Sequence, residues 1–240
     1  MFLCKTITSR CYKSTKSSTL WLSRKSKDIY TQQSKSDFYR SRAAYKLLEI
    51  DEKYRIFNKK TKNIVDLGSA PGAWTQIALE RTKKLNIQAD ILGVDLLRYS
   101  APVGTSLIQG DLLKQSTHEQ IKQHFSNDSS NTRPVDVIIS DMMANTSGIK
   151  DVDHFASMDL CTGAIILANN LLAPGGSLTM KYFSGKQDKL LKQSMEIMFN
   201  RVHLMVPKAS RDESRELYII GLNRKANDLT LDDVFPNGAI

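Results

Sequence analysis

Short apolar, β-branched runs alternate with helical segments from residue 63 to residue 222, and this alternation restricts the fold more than any other feature. Residues 63–67, 90–96, 106–109, 135–140, 177–183, 201–206 and 217–222 read as seven strands. Between them, residues 73–83, 117–125, 153–172 and 186–199 read as helices, the third stopped by Pro174-Gly175-Gly176. Strands separated by helices need crossover connections, so the class is α/β: a mainly parallel sheet with helices on both faces. Ahead of the first strand, residues 37–53 carry Phe38, Ala43, Ala44, Leu47, Leu48 and Ile50 at helical spacing, with Ser36 or Asp37 as the expected N-cap.

With 240 residues and 41% hydrophobic content the chain can bury a full core. No apolar run reaches the length of a membrane span. Cys4, Cys11 and Cys161 form no CxxC pair, and His118, His124, His154 and His203 show no ligand spacing, so neither a disulfide framework nor a metal site is expected. Lys and Arg outnumber Asp and Glu by 34 to 25, but seven of the basic residues and none of the acids fall in residues 1–27. The remainder, 27 basic against 25 acidic, is almost neutral. Residues 1–27 are also rich in Ser and Thr and lack a continuous apolar stretch, so they read as a mitochondrial transit peptide without a legible cleavage site. A basic tail that touches RNA is the alternative. Residues 28–225 form the expected catalytic domain and residues 226–240 a loosely held tail.

The segment VDLGSAPGAW, residues 65–74, runs a buried strand into Gly68 and opens a helix at Gly72. In a doubly wound sheet this first strand-to-helix turn holds a nucleotide-like ligand. The spacing is not GxGxxG, and Pro71 removes an amide that a phosphate cradle would use. Asp95 ends the second strand, where a carboxylate can accept both hydroxyls of a ribose, and Asp111 follows the third, suited to an adenine amino group. A turn without a pyrophosphate contact, followed by two acidic acceptors, suits S-adenosylmethionine better than a nicotinamide dinucleotide.

Two more polar groups stand at strand ends: Asp141 after VDVIIS, and Lys181 late in SLTMKYF. A lysine in an apolar strand is costly unless it reaches a rim or a partner. If the final strand runs antiparallel, Glu216 at its start joins them, and Lys46 on the preceding amphipathic helix can fold over the same crevice. These residues resemble the RrmJ/FtsJ family of S-adenosylmethionine-dependent RNA ribose 2′-O-methyltransferases. The likeness covers about residues 39–225 and rests on RSRAAYKLLEID, VDLGSAPGAW, GVD, QGD, SDMMANTSG, LAPGGSLTMKYF and SRELYIIG. It implies a Rossmann-like methyltransferase fold and a Lys46-Asp141-Lys181-Glu216 catalytic tetrad. It also implies cofactor contacts at Gly72, Trp74, Asp95, Asp111 and Asp141, with Gly68 at the turn itself. The chain departs from the family pattern in GSAPGAW for GAAPGGW and SDMMAN for SDMAPN, which alters the mouth of the site but none of the tetrad.

The expected reaction is in-line methyl transfer to a ribose 2′-hydroxyl, with Lys181 as proton acceptor or, if proton loss follows transfer, as a positioning cation. The resemblance implies large-subunit rRNA as partner, free or in a pre-ribosomal particle, a uridine of the A-loop as target, and a monomer in the mitochondrial matrix. A tRNA ribose methyltransferase and a ribosome-assembly factor are the alternatives, and a short-chain dehydrogenase is the weakest rival. RNA contact is expected from residues 28–62, where nine basic residues interleave with Tyr30, Phe38, Tyr39 and Tyr45, and from Lys208, Arg211 and Arg215.

Overall fold

The computed structural model describes residues 28–126, 134–211, 213–236 and 238. The expected leader (1–27) and the polar loop expected at 127–133 lie outside them. Helices α1 (Ile29–Ser36) and α2 (Ala43–Tyr54) precede the sheet. Then follow β1 (Asn63–Leu67), α3 (Ala73–Lys84), β2 (Asp90–Asp95), β3 (Ser106–Gln109), α4 (Gln115–Phe125) and β4 (Val135–Ser140). The second half runs through α5 (Lys150–Leu171), β5 (Leu172–Phe183), α6 (Asp188–Met198), β6 (Phe199–Met205), β7 (Glu216–Arg224) and α7 (Leu231–Val234).

The seven strands form one sheet in the order β3-β2-β1-β4-β5-β7-β6. The first five run parallel, and β7 lies antiparallel between β5 and β6. Alternate strand residues feed two core layers. Val65, Leu67, Leu92 and Ile138 pack with α4, α5 and α6, while Ile64, Ile91, Val137 and Ile139 pack with α2 and α3. The connections leave β1 and β4 in opposite directions across the sheet, so a crevice opens at their carboxyl ends.

Two expectations need correction. The single helix over residues 37–53 is two helices. Asp28, not Ser36 or Asp37, caps the start of α1, Asp37 terminates it, and the chain turns at Phe38 with φ 60°. The buried stripe of α2 begins only at Ala44, so nothing draws the preceding residues into the same helix. The helix ends at Leu171, before Pro174-Gly175-Gly176, but the strand expected from residue 177 begins at Leu172 and includes these three residues. The chain passes directly from α5 into β5, whose pairing with β4 is irregular until Ser177 meets Val137. Within the C-terminal stretch, the described residues include the short helix α7. Thr230 and Asp233 form a capping box for α7, and Leu229, Val234 and Phe235 pack on the core beside α5 and α6.

Candidate active site

Gly68 stands where β1 leaves the sheet, with φ +70°. A Cβ there would lie 2.5 Å from Met142 Cγ and 2.9 Å from Met142 Cα, so the turn can press against the segment after β4 only with glycine. The turn passes through a cis Ala70–Pro71 bond into Gly72, the N-cap of α3 at φ +102°. Its amides are already committed. Gly68 N–H and Ser69 N–H donate to Val94 O, Ala70 N–H to Asp95 Oδ2 at 2.8 Å, Gly72 N–H to Ser69 O at 2.6 Å, and Pro71 has none. The glycine turn itself therefore offers a phosphate no free amide, which disfavours a nicotinamide dinucleotide there.

Above the turn lies a cavity of about 750 Å³ walled by Gly68, Trp74, Asp95, Asp111, Asp141 and Lys181, among others. Gly72 sits between Pro71 and Ala73, which line the cavity. A Cβ there would meet Arg40 and Pro102, so glycine lets the turn fit beneath those side chains. Asp95 fastens the rim with both oxygens, accepting Ala70 N–H and Leu97 N–H (2.7 Å), and each oxygen retains a second acceptor position. Asp111 accepts Leu113 N–H at 3.0 Å. Volume, three carboxylates on the wall and the lack of a free amide in the turn fit a cofactor-sized cation such as S-adenosylmethionine.

Lys181 and Asp141 meet at the floor. Lys181 Nζ donates to the Asp141 carbonyl at 2.7 Å and contacts its Oδ1 at 2.9 Å. Antiparallel pairing of β5 with β7 sets Phe183 opposite Glu216 and Lys181 opposite Tyr218. Glu216 Oε1 then lies 2.5 Å from Lys46 Nζ, which projects from α2. Tyr218 joins the two ion pairs. Its hydroxyl donates to Asp141 Oδ1 at 2.6 Å, its ring lies 5.8 Å from Lys46 Nζ, and Trp74 stacks on it at 5.7 Å. Trp74 is held in turn by an Nε1–H bond to Ala43 O. Burial pushes the Asp141 carboxyl up, but the Lys181 and Lys46 cations and the Tyr218 hydrogen bond outweigh it and hold the group below its ordinary value. All four expected tetrad side chains thus converge as two neutralised pairs.

Comparison with known proteins identifies the chain's relatives. A family profile, FtsJ-like methyltransferase, matches residues 39–224. The chain belongs to this family. It is 36% identical to the mitochondrial rRNA methyltransferase 2 of Saccharomyces cerevisiae over 90% of each chain. It is 39% identical to the ribosomal RNA large subunit methyltransferase E of Mesorhizobium japonicum, over 88% of this chain and 77% of that one. A crystal structure named as a ribosomal RNA methyltransferase of Plasmodium falciparum superposes with a TM-score of 0.68 at 33% identity, covering 79% of this chain and all of that one. The fold is therefore the Rossmann-like methyltransferase fold, and the chain is a methyltransferase.

Within this FtsJ-like domain, two features escaped the sequence. Tyr218 was legible in principle, since it shares a strand face with Glu216 two residues earlier. Asp66 was hidden inside an apolar strand. It is fully buried, its Oδ2 accepts the Thr75 hydroxyl at 2.6 Å, and its Oδ1 has no partner. Burial, reinforced by the Asp141 and Asp95 charges and opposed by Thr75, pushes its carboxyl up to about 7. Tyr99 and Ser69 complete this polar cluster under the glycine turn, and an alanine at Gly93 would put its Cβ 2.8 Å from Ser69 Oγ and 2.9 Å from the Tyr99 hydroxyl.

Proposed function

We propose that this protein methylates a ribose 2′-hydroxyl of large-subunit rRNA in the mitochondrial matrix, at a uridine of the A-loop, using S-adenosylmethionine. The observation that carries the proposal is the convergence of Lys181 and Asp141 on the wall of a carboxylate-lined cavity, with Lys46 and Glu216 directly behind them. The relatives named for rRNA support the substrate. The basic, hydroxyl-rich residues 1–27 and the yeast relatives named as mitochondrial support the compartment.

S-adenosylmethionine, when bound, supplies an electrophilic methyl group on a cationic sulfur. The protein's task is alignment and removal of one proton. Lys181 Nζ makes two contacts, both to Asp141 oxygens. In a neutral amine these use the two N–H bonds, so the lone pair points elsewhere in a direction Asp141 fixes. That lone pair takes the 2′-hydroxyl proton as the oxygen attacks. Asp141 orients the base, and its carboxylate favours cationic ligands in the cavity. Lys46, held by Glu216 at 2.5 Å, stands beside this pair across the Tyr218 ring. Glu216 and Lys46 also offer an acceptor and a donor for the ribose.

Tritiated methyl transfer to large-subunit rRNA, free and in subunits, followed by mapping of alkali-resistant positions, tests the proposal. Label at one A-loop ribose supports it. Label on bases, or only on tRNA, overturns it.

A further inference from the structure

Four aromatic residues near the amino-terminal helices are candidates to stack RNA bases, and the structure separates them. Tyr30, Tyr39 and Tyr45 pack on one another, with ring centroids 5.5 Å apart in both the Tyr30–Tyr45 and Tyr39–Tyr45 pairs. The Tyr45 hydroxyl donates to Asp37 and that of Tyr39 to Glu80. Phe38 packs on none of them. It is 85% exposed, the most exposed aromatic side chain among the described residues.

A single exposed apolar side chain is ordinary, but Phe38 also occupies a backbone position that disfavours it. It follows the last turn of α1 with φ 60°, the position where helices commonly end in glycine. Of the four non-glycine residues with positive φ, Asn86 and Asn223 are of the type that tolerates this region, whereas a bulky aromatic is a true outlier. The surroundings hold it there. Tyr39 N–H donates to Ser34 O at 2.8 Å and Gln76 Nε2 to Phe38 O at 3.1 Å. The strain therefore serves no internal packing, which is the pattern of a residue retained for contact with a ligand.

The location favours RNA. Arg40, exposed and bonded to Pro71 O and Ser100 O, anchors the segment to the glycine turn. Lys35 lies in the last turn of α1, while the one nearby carboxylate on this segment, Asp37, is engaged by Tyr45 and Gln33. Ser41, three residues on, already lines the cavity, so the Phe38 backbone stands within about 11 Å of its wall. We propose that Phe38 is a stacking platform for an unpaired base of the rRNA substrate beside the methylated nucleotide. The inference rests on the proposed rRNA activity and adds a specific contact to it.

The test uses Phe38→Gly, Phe38→Ala and Phe38→Trp in the full chain, with an in vitro transcript of the large-subunit rRNA domain that contains the A-loop. Phe38→Gly removes the ring together with the strain, so its Tm should stay level or rise by about 2 °C. Its affinity for the transcript should fall about ten-fold or more, with KM raised, kcat unchanged and S-adenosylmethionine binding unaltered. Phe38→Ala should lose the same affinity, and Phe38→Trp should restore it. If the unsubstituted protein methylates the transcript and Phe38→Gly binds it equally well, the stacking role is wrong while the activity stands. If the unsubstituted protein does not methylate rRNA, both fall. Loss of a protein contact in the large subunit, with transcript affinity intact, would assign the ring to a protein partner and overturn the inference.

Discussion

The two halves of the crevice use their charged groups in opposite ways. On the β1–β3 side, carboxylates bond to backbone: Asp95 fastens Ala70 and Leu97, and Asp111 fastens Leu113. On the β4–β7 side, charged side chains bond chiefly to one another, Lys181 with Asp141 and Lys46 with Glu216. The first arrangement fixes a shape, and the second stores compensated charge that an incoming hydroxyl can rearrange. A rigid donor pocket beside a neutral but highly polar acceptor site suits a reaction in which one partner must be held still and the other must lose a proton.

The largest test of this contrast is Lys181→Ala. It should reduce methyl transfer by about 10²–10⁴-fold while S-adenosylmethionine affinity, measured by calorimetry, stays within a few fold. A parallel loss of cofactor affinity would mean that the two halves are not separable. If the same variant still supports subunit assembly in cells, the protein has a second role independent of catalysis.

Stability against pH should separate the halves by sign. The folded pKa of Asp66 lies above its unfolded value, so its stabilisation is complete below about 4 and is lost as pH rises to about 7, with a slope approaching 1.4 kcal/mol per unit. Asp141 is lowered, so its contribution is present above the ordinary carboxylate value and lost as pH falls through the lowered one. Asp66→Asn should flatten the denaturation midpoint between pH 4 and 7 and leave the acid limb unchanged. An unchanged slope would show that Asp66 does not hold a proton in the folded state.

The smallest expected effect is Tyr218→Phe. It removes one hydrogen bond to Asp141 and keeps the ring on Trp74 and Lys46, so kcat should fall only about five-fold with KM and cofactor affinity preserved. A loss as large as that of Lys181→Ala would make the tyrosine a direct participant.

These contrasts also mark what the sequence disclosed. Lys181, Asp141 and Glu216 were legible because strand ends are predictable and a polar residue at the end of an apolar run needs a destination. Gly72 carries two readings in the sequence, because a positive-φ helix cap and a cofactor contact call for the same glycine. The break between α1 and α2 was hidden because it turns on Phe38, a residue that propensity would never put there. Asp66 was invisible for the opposite reason: one acid in VDL reads as a rim residue until burial is known. In the C-terminal stretch three apolar side chains, Leu229, Val234 and Phe235, suffice to dock a short capped helix that composition does not announce.

The position of β7 governs when the enzyme can come into being. The outer edge of β5 and all of β6 find their partners only in a strand that begins at Glu216, close to the end of the chain. A polypeptide halted during synthesis before that point exposes two open sheet edges and lacks both the carboxylate that holds Lys46 and the phenol that bridges the ion pairs. Folding and catalytic competence therefore arrive in the same step, and an incomplete chain presents itself to proteases and chaperones rather than to RNA.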